Sequence, residues 1–359
     1  MSKISKVKTN GLKQNLTGAA SSSECFERIR EILTRSRNQA LQAVNSAMVQ
    51  AYWQIGQEIV EEEQRGKSRA GYGDQLIREL SAKLIRDFGP GFKVRNLWYM
   101  RSFYESFPKV HALRAELTWT HYRLLTKVSK PEARIFYQNE CAQSRWSTRE
   151  LERQINSLLY ERLARSKDKK GLLALSNQGH EVTQPSDLIK DPYVLEFTGL
   201  PEPPHFQESE LEQALMTHLQ KFLLELGRDF FFVARQKRIT IDGDHFYIDL
   251  VFYNRALRCF VLIDLKVGRL TQQDVGQMLL YTGYYEAENM AAGESPPIGL
   301  ILCTDKNDAA VRYTLSKSSN TIFASKYKTI LPSEEELVKE LKKERELIEH
   351  EQSLQDSEE

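Results

Sequence analysis

The sequence predicts a two-domain α+β chain: an all-helical N-terminal domain followed by a C-terminal α/β domain. Three observations lead there. In the first half apolar residues recur every three or four positions and no segment alternates with period two. In the second half short apolar runs bounded by turn residues are interleaved with helical patterns. The chain, at 359 residues, is also long for one typical domain.

Residues 1–22 are polar and rich in Ser, Lys and Asn, and are expected to be a disordered basic tail. The helical domain is placed at 23–165. Ser23 is a candidate N-cap for a first helix with Phe26, Ile29, Ile32 and Leu33 at helical spacing, which could run to Ile59. A second helix covers about Asp74 to Asp87 and is ended by Gly89-Pro90-Gly91. A third spans about Val94 to Ser106 and a fourth Trp119 to Val128. A fifth starts at Pro131, and a sixth is opened by Ser147 with Glu150 three residues on, a capping box. Residues 166–206, punctuated by Pro185, Pro192, Pro201, Pro203 and Pro204, read as a linker with short ordered pieces.

The second domain is placed at 207–330. Residues 208–226 read as one apolar-periodic helix stopped by Gly227. Strands are expected at Phe230 to Ile241, Phe246 to Tyr253 and Cys259 to Lys266, with Asp242-Gly243-Asp244 turning between the first two. A helix from Gln272 to Ala287, a strand from Ile298 to Cys303, a short helix at Asn307 to Ser316 and a strand at Thr321 to Ser325 complete an αβββαβαβ order, with αβββαβ as its core. Residues 331–359 read as an acidic helical tail with Leu337, Leu341 and Leu347.

The net charge of +1 averages unlike segments. Phe26 to Arg165 holds 24 Lys/Arg against 16 Asp/Glu, whereas Ser333 to the end holds 4 against 11. A basic first half suits a polyanion partner such as nucleic acid. Cys25, Cys141, Cys259 and Cys303 are too dispersed for a zinc site or a disulfide framework, and fit a reducing cytoplasm. Apolar runs fall short of the ~20 residues that span a bilayer.

The chemistry concentrates between Asp249 and Lys266. A two-residue loop at Ala256-Leu257 would pair strand residues whose numbers sum to 513, setting Asp249 opposite Asp264. Lys266, two residues on, shares the face of Asp264. Two opposed acids among Ile248, Leu250, Val251, Ile263 and Leu265 repel each other and resist burial; a divalent cation between them relieves both costs. Pairing of Asp249 with Lys266 on an exposed sheet face would account for the same residues without a metal.

Asp249-x(14)-Asp264-x-Lys266 on a hairpin, after a helix and a strand, resembles the PD-(D/E)XK nuclease pattern, whose fold is restriction-endonuclease-like. The wider text is similar to the bacterial YhcG-like family. It includes Phe222-Leu-Leu-Glu-Leu-Gly227, Phe246-Tyr-Ile-Asp-Leu-Val-Phe-Tyr253, Ile263-Asp-Leu-Lys266 and Gly276-Gln-Met278. In the helical half it includes Tyr52-Trp-Gln-Ile-Gly56, Phe88-Gly89-Pro-Gly-Phe92 and Trp146-Ser-Thr-Arg-Glu150. The resemblance implies a Mg²⁺ (or Mn²⁺) dependent endonuclease acting on nucleic acid, with DNA the expected substrate. Asp249 and Asp264 fall on the metal-binding acids, the Leu265 carbonyl on a further ligand, and Lys266 on the catalytic lysine. Glu212 is the choice for the upstream glutamate, with Glu208 the runner-up. Gln277 and Tyr281 fall on a Gln…Tyr pair that supports the metal site or meets DNA, and Gln236 is a further candidate for nucleic-acid contact. Ile248 stands where the pattern has proline, and Asp264 where many relatives have Glu.

Arg78, Lys83, Lys93, Arg95 and Arg101, interleaved with Trp98, Tyr99 and Tyr104, are the expected nucleic-acid contacts of the helical half. Self-association through that half or the acidic tail is a further expectation. The alternative reading is a non-enzymatic binding or assembly protein that keeps the fold.

Overall fold

The computed structural model describes residues 9–65, 72–164, 169–180, 182, 184–305 and 321–331. The expected helix at Asn307 to Ser316 and the acidic tail beyond Leu331 lie outside these. Two compact units result, Met1–Ser129 and Lys130–Glu359.

The first unit is helical. Helix α1 runs from Thr9 to Arg65, so it begins inside the segment expected to be disordered. No proline interrupts residues 9–65, and once nucleated a helix extends by one hydrogen bond per residue. Helix α2 (Tyr72–Phe88) ends where Gly89 takes φ +90, and α3 (Val94–Ser106) and α4 (Trp119–Leu125) follow. Ile59, Ile77, Leu97 and Met100 are buried together at the α1–α2–α3 junction. A Cβ on Gly56 would sit 2.1 Å from the Met100 carbonyl oxygen, so only glycine lets α1 and α3 approach this closely. The rings of Phe103, Phe107 and Tyr122 form a second core, with centroids 4.8–5.6 Å apart. Further toward its N-terminus, α1 leaves Phe26, Ile29, Ile32, Leu33, Leu41 and Val44 exposed.

The second unit opens with α5 (Pro131–Ser144), α6 (Thr148–Asn156), α7 (Leu159–Ala164) and α8 (Lys169–Gln178). The capping box forms as expected: Ser147 N–H donates to the Glu150 carboxylate at 2.6 Å, and Glu150 N–H to Ser147 Oγ at 3.3 Å. These helices belong to the same unit as the sheet. Buried Arg162 of α7 pairs with buried Glu225, and Arg153 of α6 reaches Glu225 at 3.2 Å and Glu196 at 2.7 Å.

Part of the 166–206 stretch joins the sheet. Strand β1 (Tyr193–Val194) pairs with β6 (Ile322–Lys328). The expected single helix at 208–226 is two, α9 (Glu208–Thr217) and α10 (Leu219–Leu226), broken where His218 leaves helical geometry at ψ 32. Strands β2 (Phe230–Ile241), β3 (Asp244–Asn254) and β4 (Cys259–Arg269), helix α11 (Gln272–Glu288) and strand β5 (Ile298–Asp305) complete the unit. The sheet order is β1-β6-β5-β4-β3-β2. β2, β3 and β4 are antiparallel to their neighbours in turn, and β4, β5, β6 and β1 run parallel. One face is covered by Leu211, Leu215, Phe222 and Leu226 of α9 and α10, the other by Val275, Met278, Tyr281 and Tyr285 of α11. Coverage of both faces explains why β4 and β5 are nearly continuous apolar runs. No described helix is long and apolar enough to cross a membrane.

Candidate active site

The β3–β4 hairpin has the expected frame with a different loop. Asn254 pairs with Cys259 and Leu250 with Ile263, so partners sum to 513. The loop has four residues, Arg255 to Arg258, rather than two. Asn254 Oδ1 accepts the Leu257 N–H at 3.0 Å, and Arg258 takes the left-handed conformation at φ 54. Both loops share the same centre, which is why the register survives the change.

The β3–β4 ladder ends at Leu250–Ile263, and Asp249 and Asp264 stand at the next position of the same frame, just past its last pair. Beyond this point β3 pairs only with β2, and β4 only with β5. At the fork the Asp249 carboxylate takes the place of a ladder carbonyl, its Oδ2 accepting the Leu265 N–H at 2.8 Å. Its Oδ1 accepts from Gln236 Nε2 at 3.0 Å, and the same Gln236 nitrogen donates to Glu212 Oε2 at 2.5 Å. Gln236 holds a left-handed φ of 44. Glu212 on α9, Gln236 on β2, and Asp249 on β3 thus form one chain of contacts.

Asp264 is only 2% exposed. Its buried Oδ2 meets the Lys266 ammonium at 2.9 Å. Burial and then the Asp249 charge push the Asp264 carboxyl up to about 7, and Lys266 only partly offsets them. Burial likewise raises Glu212, with Asp249 adding to it and Gln236 opposing. For Lys266, burial is outweighed by Asp264 and Glu208, and its ammonium is held above the ordinary lysine range. Glu208, the second-choice glutamate, also reaches the site: its Oε1 accepts the Val267 N–H at 3.0 Å and its Oε2 lies 3.8 Å from Lys266 Nζ.

Among the described residues no three Asp, Glu, His or Cys side chains close into a metal cage. The oxygen set at the fork, two carboxylates and the Leu265 carbonyl, fits instead a hard cation that keeps most of its waters. The burial of the Asp264 carboxylate beside the Asp249 charge is the observation that favours such a fit.

Gln277 and Tyr281 meet each other on α11, the Gln277 amide donating to the Tyr281 hydroxyl. That hydroxyl donates to the Tyr247 carbonyl at 2.9 Å, two residues before Asp249. Tyr281 is fully buried, and burial, opposed by Gln277 and reinforced by Asp264 and Asp249, raises its phenol. The pair therefore ties α11 to the strand that carries the first acid.

In the first unit Arg78, Lys83, Lys93 and Arg95 are exposed. Arg101 is occupied by Glu63 and Glu105, each at 2.8 Å. Arg235, Lys237 and Arg238, absent from the expected contacts, flank Gln236 on β2 and are exposed; the Arg-Gln-Lys-Arg run on an expected strand is their signal in the sequence.

Comparisons with known proteins give the family of the chain. Residues 186–343 match the YhcG PDDEXK nuclease domain, and residues 28–162 match the DUF1016 N-terminal domain. The protein recorded as "Putative nuclease YhcG" of Escherichia coli (strain K12) is 39% identical over 343 residues, covering 86% of this chain and 91% of that protein. Among solved structures, a repair endonuclease from Pyrococcus abyssi is 17% identical with a TM-score of 0.25, covering 36% of this chain and 49% of its own. EndoMS in its apo form is 13% identical with a TM-score of 0.25, covering 36% and 48%. The chain belongs to the YhcG family, joining a DUF1016 N-terminal domain to a PDDEXK nuclease domain.

Proposed function

We propose that the chain is a divalent-metal-dependent endonuclease that cuts DNA at the β3–β4 fork. The observation that carries this reading is the buried Asp264, whose carboxylate meets Lys266 at 2.9 Å and lies next to an Asp249 already fixed by the Leu265 N–H. A like-charged pair held this way is costly until a cation binds.

Asp249, Asp264 and the Leu265 carbonyl would hold Mg²⁺ or Mn²⁺, which supplies Lewis-acid polarisation of the scissile phosphate and a more acidic bound water. Lys266 places a positive charge 2.9 Å from Asp264, where it can orient the attacking water and offset charge developing on the phosphate. Gln236 fixes the rotamers of Asp249 and Glu212 together. Glu212, with its carboxyl raised by burial, is placed to take a proton or hold a water at the same edge. Tyr281 anchors the backbone at Tyr247 and so the approach of Asp249.

The test is incubation of the full chain with supercoiled, linear, single-stranded and branched DNA and a structured RNA, each with Mg²⁺, Mn²⁺ or EDTA. Asp264→Ala and Lys266→Ala run alongside. Cleavage of DNA that requires the ion and is lost in both variants supports the reading. Bound but uncut nucleic acid under every condition would favour a non-enzymatic binding protein.

A further inference from the structure

We infer that the β2–β3 hairpin is a phosphate-gripping arm that carries duplex DNA to the nuclease site through Lys237 and Arg238. This rests on the nuclease reading above and adds to it the surface that meets the substrate.

The arm is a two-stranded ribbon with a register shift between Phe232 and Ala234. Its ladder runs from Phe230–Asn254 to Ile241–Asp244, and its tip is a two-residue turn in which Asp242 (φ 50) and Gly243 (φ 91) both take the positive angles that match strand twist. Ile239 and Ile248 root it in the core beneath α11, and the Tyr281 hydroxyl holds its Tyr247 carbonyl. β2 is the last strand of the sheet, so its outer side is free of any described strand.

The charge lies on that free strand. Arg235, Lys237 and Arg238 are exposed, and neither Lys237 nor Arg238 has an ion-pair partner among the described residues. Arg235 differs, since it leans on Gln213 at 3.2 Å and Glu212 at 3.8 Å. Gln236, between these cations, is itself bonded to Asp249 and Glu212. Lys237 and Arg238 therefore lie within about 7 Å of strand from a side chain of the site. Nucleic acid offers one phosphate per about 3.4 Å of axis on each strand. Two free cations next to the fork can thus take phosphates beside the scissile one, while the fork receives the scissile one. Successive side chains point to opposite faces of a ribbon, so Lys237 and Arg238 straddle it, as suits a ribbon lying against a groove with phosphates on either side.

Charged residues on an edge strand also deter unwanted strand pairing. That role alone predicts no effect on nucleic-acid binding, which makes the two readings separable. Binding of a fluorescent 20-bp duplex to the full chain is measured by anisotropy in Ca²⁺ across a salt series, for wild type, Lys237→Ala/Arg238→Ala, and an exposed charge-matched control, Arg149→Ala/Lys221→Ala. Lys237→Ala/Arg238→Ala is expected to bind roughly tenfold more weakly, with the slope of log affinity against log salt reduced by about 2, near 0.9 per lost phosphate contact. The control keeps the wild-type slope. An unchanged slope in the arm variant, with melting temperature preserved, overturns the proposal, as does an equal loss in the control. Wild-type cleavage in Mg²⁺, scored separately, tests the nuclease reading: a chain that binds through the arm but never cuts retains the arm and loses the enzyme.

Discussion

The Asp249 carboxylate accepts the backbone N–H of Leu265 at 2.8 Å, so the acid of one strand is fastened to the strand that carries the other acid and the lysine. The position of Asp249 is therefore set by backbone. Asp249→Asn can retain this bond through its amide oxygen but loses the charge. It is expected to keep the wild-type melting temperature within a few degrees and to lower metal-dependent cleavage by at least about 100-fold. A parallel loss of folding, read by circular dichroism, would show the residue to be structural instead.

Asp264 is buried beside the Asp249 charge and only partly offset by Lys266, an arrangement that costs stability in the absence of a cation. Asp264→Asn should abolish cleavage and, because the folded-state carboxyl is raised to about 7, stabilise the metal-free protein above that pH by on the order of 1 kcal/mol or more. Thermal melts in EDTA at pH 8 check this. A variant less stable than wild type there would mean that its pairing with Lys266 already compensates the burial.

Gln236 donates to Glu212 and Asp249 from a single nitrogen. Gln236→Leu leaves both acids without that donor and should reduce turnover about 10–100-fold, the usual cost of losing a group that orients ligands. Mn²⁺ affinity by calorimetry should weaken in step. Loss of turnover with unchanged ion binding would move Gln236 from holding the acids to meeting the substrate.

Glu225 has no solvent exposure and sits among Arg162, Lys190 and Arg153. Burial would raise its carboxyl, but the three cations outweigh burial and hold it at about 2, below its ordinary 4.5. The folded-state value is depressed, so the contribution is complete above pH 4.5 and lost as pH falls toward 2. At 1.36 kcal/mol per unit this is roughly 3 kcal/mol. Denaturant melts should show stability falling across that window. Glu225→Gln should flatten the acid limb and, by leaving Arg162 buried without a counter-charge, lower stability at pH 7 by about 3 kcal/mol or more. An unchanged acid limb in the variant would assign the loss to other carboxylates.

Much of the site was legible because strand side chains repeat with period two. The numbers 249, 264 and 266 and a loop centre put Asp249 and Asp264 at the positions that follow the last ladder pair, although the loop has four residues rather than the expected two. What the sequence hid were contacts between elements. Glu212 and Gln236 lie 24 positions apart, and nothing in periodicity links a helix acid to a strand amide. Helical patterning likewise showed that α5 to α8 have apolar faces, but not that they fold in the unit that holds the sheet. The ion pairs that bind them there join residues 63 and 72 positions apart. His218 carries no breaker signature, so periodicity alone gives one helix where the fold has two.

The four-residue loop from Arg255 to Arg258 fixes where the chain tolerates a change of length. Residues inserted between Ala256 and Leu257 would leave every pair from Asn254–Cys259 to Leu250–Ile263 in place, and with them the acids at the fork. One residue added between Leu250 and Asn254 would instead turn Asp249 to the opposite face of the sheet. The site is thus written in a two-residue reading frame that a single insertion shifts, and the loop is its one point of free punctuation.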